Sequence, residues 1–159
     1  MNLPSCVNLE MRATTRRIVF DAGTRQVHIR AREGSQRSDR TLPFDHVQNV
    51  VLRILESYRR GAESPLGQLM AYQLSLVTEE GEFPLSRLAE QTVADCEAKD
   101  RSIWQTLGRT QADSLLARSY RHAIQRRERL QAVWLARLLT PGASLTEVDA
   151  RVQRDWPVS

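Results

Sequence analysis

Lysine is all but missing from this chain of 159 residues: Lys99 stands alone among 23 basic side chains, and the other 22 are arginines. Cysteine is scarce as well, since Cys6 and Cys96 lie far apart with no CxxC or Cys/His spacing. That excludes a structural zinc site and a disulfide framework, and both read as buried or partly buried thiols. No apolar run approaches the roughly 20 residues that span a bilayer, and "MNLPSCVNLEMRATTRR" lacks the charged and apolar regions of a secretory leader. No integral membrane association is expected, and the expected location is cytoplasmic. Internal repeats and low-complexity tracts are missing, as are GxSxG, a P-loop and HExxH. No cofactor is expected.

What is there suits a folded domain with a real core: 41% of residues are hydrophobic, enough for a globular chain of this length. The charge is segregated. Residues 1–63 carry 11 basic and 7 acidic groups, residues 64–114 carry 4 and 8, and residues 115–159 carry 8 and 4. Anionic partners are therefore plausible for the two basic segments, but no positive field over the whole molecule follows.

Residues 1–15 show no period and read as a loose arm. "RIVFDAGTRQVHIRAR" then places Ile18 and Phe20 on one face and, after a turn, Val27 and Ile29 on one face, with His28 and Arg30 opposite. Asp21 to Thr24 supply turn chemistry, since Asp can bond its own following backbone and Gly23 can take positive φ, so the segment predicts a hairpin. "EGSQRSDR" at 33–40 is polar, lacks apolar anchors and reads as a loop. Residues 44–58 fit either element: Phe44, Val47, Val50, Val51, Ile54, Leu55 and Tyr58 suit a helix face, while Val50, Leu52 and Ile54 alternate. The β-branched density and the strand that follows favour a strand from about Val47. Tyr72, Leu74 and Leu76 alternate, Glu80-Gly81 makes a turn, and Phe83 and Leu85 return.

After Ser86 the spacing turns helical. Leu88, Val93, Cys96, Ile103, Trp104 and Leu107 mark one helix that stops at Gly108. A second long helix is expected through "ADSLLARSYRHAIQRRERLQAVWLARLL", capped by Asp113 or Ser114 and ended by Pro141-Gly142. A short third helix opens with Ser144 and Glu147 as a capping box.

The succession "FDAGTRQVHI", "LPFDHVQNVVL", "YQLSLVTEEGEFPL" and a helix is similar to bacterial pleckstrin-homology-like domains over residues 17–107. Those have a strand pair, a hydrophobic-Pro-aromatic-acidic step into a third strand, and a Tyr-x-Leu-x-Leu-x-x-x-x-Gly strand and turn. The chain departs from that pattern in showing fewer strands than the usual seven and in its helical tail after 110. The resemblance implies a binding or assembly module rather than an enzyme, and it transfers no binding residues.

Three constellations invite chemistry. "IVFDAGT" resembles the strand-Asp-x-Gly-Thr motif of RNase H-like nucleases and actin-like phosphotransferases, where the Asp holds Mg²⁺. Such a site needs further carboxylates at strand ends, and Glu79, Glu80, Asp95 and Glu97 are not so placed; a plain turn explains Asp21 to Thr24. His28, His46 and His122 show no nucleophile at suggestive spacing. Arg118, Arg121, Arg126, Arg127 and Arg129 cluster around Tyr120 and His122 and could contact phosphates. Their alternative is a solvated helix face, with Tyr120, Trp134 and Leu138 at an interface.

The expected fold is α+β: an antiparallel sheet or partial barrel of about five strands closed by a helix, with C-terminal amphipathic helices. The expected organisation is an arm at 1–16, a pleckstrin-homology-like domain at 17–109 and a helical extension at 110–159. The leading functional expectation is a non-catalytic protein-interaction or scaffold module using an exposed sheet edge and the C-terminal helices, with a protein partner that includes a second copy of the chain. Next stands a nucleic-acid accessory protein binding phosphates through residues 118–129, and third a metal-dependent nuclease centred on Asp21.

Overall fold

The first hairpin shows how local chemistry sets the architecture. Asp21 ends one strand and its Oδ1 accepts the backbone N–H of Gly23 (2.9 Å) and of Thr24 (3.2 Å), which folds the chain back. The left-handed residue of this turn is Arg25 (φ 56°); Gly23, which can take positive φ, does not do so here. Glycine at 23 instead leaves room for the capping carboxylate: a Cβ there would stand 3.3 Å from Asp21 Oδ1, a tight contact.

The computed structural model describes residues 8–13, 16–58, 68–85 and 92–158. Its strands are β1 (Asn8–Ala13), β2 (Arg16–Asp21), β3 (Gln26–Glu33), β4 (Gln36–Pro43), β5 (Val47–Tyr58), β6 (Gln68–Thr78) and β7 (Gly81–Pro84). The helices are α1 (Val93–Leu107), α2 (Leu115–Gln125), α3 (Arg129–Leu139) and α4 (Leu145–Asp155). The class is α+β, with two antiparallel sheets ordered β1-β2-β3-β4 and β5-β6-β7 that do not close into a barrel among the described residues.

Among the described residues seven strands stand where about five were expected, for two reasons. Residues 8–13 are a strand rather than loose, pairing Leu9 with Phe20 and Met11 with Ile18. The polar stretch at 36–40 is not a loop either: it forms β4, pairing residue for residue with β3 across a turn in which Gly34 takes φ 61°. Backbone pairing builds this strand with Leu42 as its one buried side chain, and hydrophobic pattern cannot reveal such an element.

The ambiguous 44–58 segment is a strand from Val47 onward, entered through a single 3₁₀ turn at Phe44–His46. Val50, Leu52 and Ile54 lie opposite Leu76, Leu74 and Tyr72. With Ile18, Phe20, Val27, Ile29 and Leu42 of the first sheet they form one core, into which α1 sends Cys96, Ile103, Trp104 and Leu107. Helix α1 contacts β1, β2 and β6 and so bridges both sheets. It opens on a Thr92–Asp95 capping box and ends at Gly108 (φ 69°), the stop the sequence marked.

The long second helix is two helices. Arg127 adopts φ 57° between α2 and α3, and no glycine or proline announces the break. Ser114 caps α2 and Ser144 caps α4, each accepting an N–H three residues on. Helix α2 packs on β5 and on α3, and α3 carries α4. No helix among the described residues is long and apolar enough to cross a membrane.

Candidate functional site

Strand β5 is the end of its sheet, and its outward backbone groups need partners. The C-terminal segment provides them. Ser119 Oγ accepts the Leu52 N–H (2.7 Å), and the Gln131 amide accepts the Ile54 N–H (2.9 Å) while donating to the Ile54 carbonyl (2.6 Å). Arg118 donates to the Val50 carbonyl (2.7 Å) and Arg109 to the Val47 carbonyl (2.6 Å). From Val47 to Ile54, side chains of α2 and α3 and of the Arg109 loop take the place of a further strand along this edge.

Arg118 anchors the seal from inside the core. Its Nε donates to the Asp113 carbonyl (3.0 Å), one terminal nitrogen serves Val50 and Asn49 Oδ1 (3.2 Å), and the other meets the Asp100 carboxylate. The guanidinium lies 5.3 Å from the Trp104 ring centroid. Asp100 also accepts from Trp104 Nε1 (2.9 Å) and from Gln111. Burial pushes the Asp100 carboxyl above the usual value, against the pull of Arg118 and the other donors. Arg118 is therefore a core residue and not a surface phosphate contact, which corrects its place in the arginine cluster.

The other arginines of 118–129 do not share one face. Arg121 pairs with Asp113 (2.7 Å), holding that carboxyl below the usual range. Arg126 stands 3.6 Å from Glu128 and 3.9 Å from Glu82. Arg129 lies 3.9 Å from Asp149 and over Trp156. Arg127 is exposed at the helix break. A mixed-charge cluster underlies this region: Glu82 takes His122 Nε2 (2.7 Å) and Arg53 (3.3 Å), and Arg53 reaches Glu128 (2.8 Å). It ties β5 and β7 to α2 and neutralises the basic groups locally.

Tyr120 is buried, donates its hydroxyl to Asp155 (2.7 Å) and lines a cavity of about 460 Å³ with Arg121, Ile124, Leu139 and Arg151. Burial and the Asp155 contact push its phenol up to about 12. Trp134 and Leu138 are half-buried and line a smaller cavity of about 220 Å³ with Ile54, Tyr72 and Arg137. The three interface candidates thus fall at two separate places.

The Asp21 carboxylate caps its own turn, and those backbone bonds hold its pKa below the usual value. Among the described residues no three His, Cys, Asp or Glu side chains gather closely enough to hold a metal ion. A nucleophile-like row does exist: Thr41 Oγ1 lies 3.2 Å from His28 Nδ1, and His28 Nε2 lies 3.9 Å from Asp21. The second gap exceeds hydrogen-bond reach. The row lies on the outer face of the first sheet, where its chemistry is to clip β3 to β4. His46 stands 3.8 Å from Glu79, an ion-pair neighbour rather than a nucleophile.

Strand β4 ends the other sheet, and it is exposed along its length except for Leu42. Its outer face joins that of β2 and β3 in presenting Arg17, Arg30, Arg32 and Arg37, with Glu10 on Arg17 (2.8 Å) and Asp39 on Arg30 (3.2 Å). Arg32 and Arg37 face each other directly across the hairpin. The sequence reading missed this surface because it treated residues 33–40 as a loop. Against known protein families, curated proteins and solved structures, the chain matches none.

Proposed function

We propose that the chain is a non-catalytic interaction module of pleckstrin-homology-like design, acting in the cytoplasm and binding a protein partner along β4. The observation that carries the reading is the contrast between two of the end strands: β5 is sealed from Val47 to Ile54 by side chains of the C-terminal segment, and β4 is exposed along its length except for Leu42. Strand addition at an open edge supplies main-chain hydrogen bonds to an extended partner. The succession of four strands, three strands and a bridging helix supports the pleckstrin-homology-like assignment, since it supplies the seven strands that resemblance requires.

The test is a photoreactive benzophenone amino acid in place of Thr41, irradiated in intact cells. A discrete, protease-sensitive adduct is expected. A nuclease-sensitive adduct would instead favour a second reading, in which the arginines of the first sheet grip phosphates, and Arg32→Glu/Arg37→Glu should then abolish salt-dependent binding to a duplex. No adduct at all would overturn the proposal.

A further inference from the structure

We propose that the partner at this edge is a second copy of the chain, with β4 pairing antiparallel to β4 about a two-fold axis at Ser38. The inference rests on the reading of β4 as an interaction edge and names its occupant.

Hydrogen-bond parity gives the first support. The Phe44 N–H donates to the Arg25 carbonyl (3.0 Å), one position beyond the Gln26–Pro43 pair. In an antiparallel ladder, bonded and non-bonded pairs alternate. Leu42, Arg40 and Ser38 therefore spend their backbone groups on β3, while Thr41, Asp39 and Arg37 turn theirs outward. Pro43, which has no N–H, occupies the next outward position and ends the edge. Three consecutive outward positions are thus free for a new strand.

Charge selects the occupant and the register. Arg37 lies directly opposite Arg32, both are exposed, and neither has an ion-pair partner among the described residues. Like charges directly opposite destabilise a strand pair and opposite charges stabilise one, so a carboxylate placed across the outer side of Arg37 would relieve this pair. A two-fold axis at Ser38 places Asp39 of the second copy opposite Arg37, and Arg37 of the second copy opposite Asp39. Both belong to the outward-bonding set, so the backbone bonds form at the same two pairs. An axis at Arg37 would oppose two arginines, one at Asp39 two carboxylates, and one at Arg40 two arginines again. Of these four registers only Ser38 matches opposite signs. Asp39 would then lie between Arg30 of its own chain and Arg37 of the second copy, and the two four-stranded sheets would run on as one. A contact confined to one strand edge is small, so the association is expected to be weak, concentration-dependent and sensitive to salt.

Sedimentation velocity of the full chain over a concentration series tests this, with Arg37→Asp and Asp39→Arg as variants. The wild type should show a monomer–dimer equilibrium, and each variant should weaken it at least tenfold. An equimolar mixture of the two variants should recover the dimer, because Asp at 37 of one chain then meets Arg at 39 of the other. The chain carrying both substitutions should recover it too. Both positions are exposed, so thermal melts of the variants should stay close to wild type; Asp39→Arg, which loses Arg30 as a partner, is judged against its own melt. A wild type that is monomeric throughout, or variants that fail to complement, would overturn the inference. The Thr41 cross-link separates that outcome from failure of the broader reading: an adduct of twice the chain mass supports the second copy, a discrete adduct of another mass leaves only the interaction reading standing, and no adduct removes both.

Discussion

At the scale of single residues the buried pair Asp100–Arg118 is the most consequential contact. Neither partner can be removed alone without leaving the other charged, dry and partly unsatisfied. Asp100→Asn keeps the shape and strands the arginine, and should cost about 3–5 kcal/mol in urea unfolding. Asp100→Leu/Arg118→Met removes both charges and should cost less than either single change; a double variant less stable than both singles would mean that the hydrogen bonds to Val50 and Asn49, not the ion pair, carry the stability. Tyr120 gives the pH-dependent counterpart. Its phenol is raised to about 12 in the fold, against about 10 in an unfolded chain, so folding holds a proton that the unfolded chain releases first. Stability from this group is therefore complete below pH 10 and is lost as pH rises through 12. Between pH 9 and 11 the wild type should lose about 1 kcal/mol more than Tyr120→Phe, read from urea midpoints.

At the scale of elements the decisive feature is how α2 and α3 finish the β5 edge. Gln131→Leu keeps the volume and leaves the Ile54 N–H and carbonyl without their partner, so it should cost about 1–3 kcal/mol and speed amide exchange at Ile54. A variant with unchanged exchange would show that water replaces the glutamine freely. This seal was not legible in the sequence. Ser119 and Gln131 read as ordinary polar helix positions, and only the placement of α2 across β5 gives them a task. The elements with hydrophobic rhythm were legible: β2, β3, β5, β6 and β7 follow the alternation of Ile18/Phe20, Val27/Ile29, Val50/Leu52/Ile54, Leu74/Leu76 and Phe83/Leu85, although the β5 residues also fitted a helix face. Strand β4 was not, because its register comes from pairing with β3 while its side chains stay in water. The break at Arg127 was hidden as well, since a single left-handed arginine has no composition signal. The arginine cluster misled for a related reason: adjacency in sequence cannot tell Arg118, inside the core, from Arg127, outside it.

At the scale of the whole molecule the question is whether residues 110–159 are an appendage or part of the fold. The sequence suggested an extension after a complete domain, and the contacts argue for joint folding. Removing the segment would expose Val50, Leu52 and Ile54 along an edge stripped of its hydrogen bonds, leave Asp100 buried without Arg118, and uncover the part of the core that Leu115, Ala123, Leu135 and Val152 complete. An open strand with a hydrophobic face of that kind is a template for aggregation. A chain ending at residue 109 should therefore be insoluble or melt without a cooperative transition, and should bind a hydrophobic dye that the full chain excludes. Cooperative unfolding of residues 1–109 with native-like near-ultraviolet circular dichroism would overturn this and make the helices a separable module. If joint folding holds, the C-terminal helices act on function indirectly: by occupying β5 from Val47 to Ile54, they leave β4 as an open end at which the two-sheet body can meet another chain.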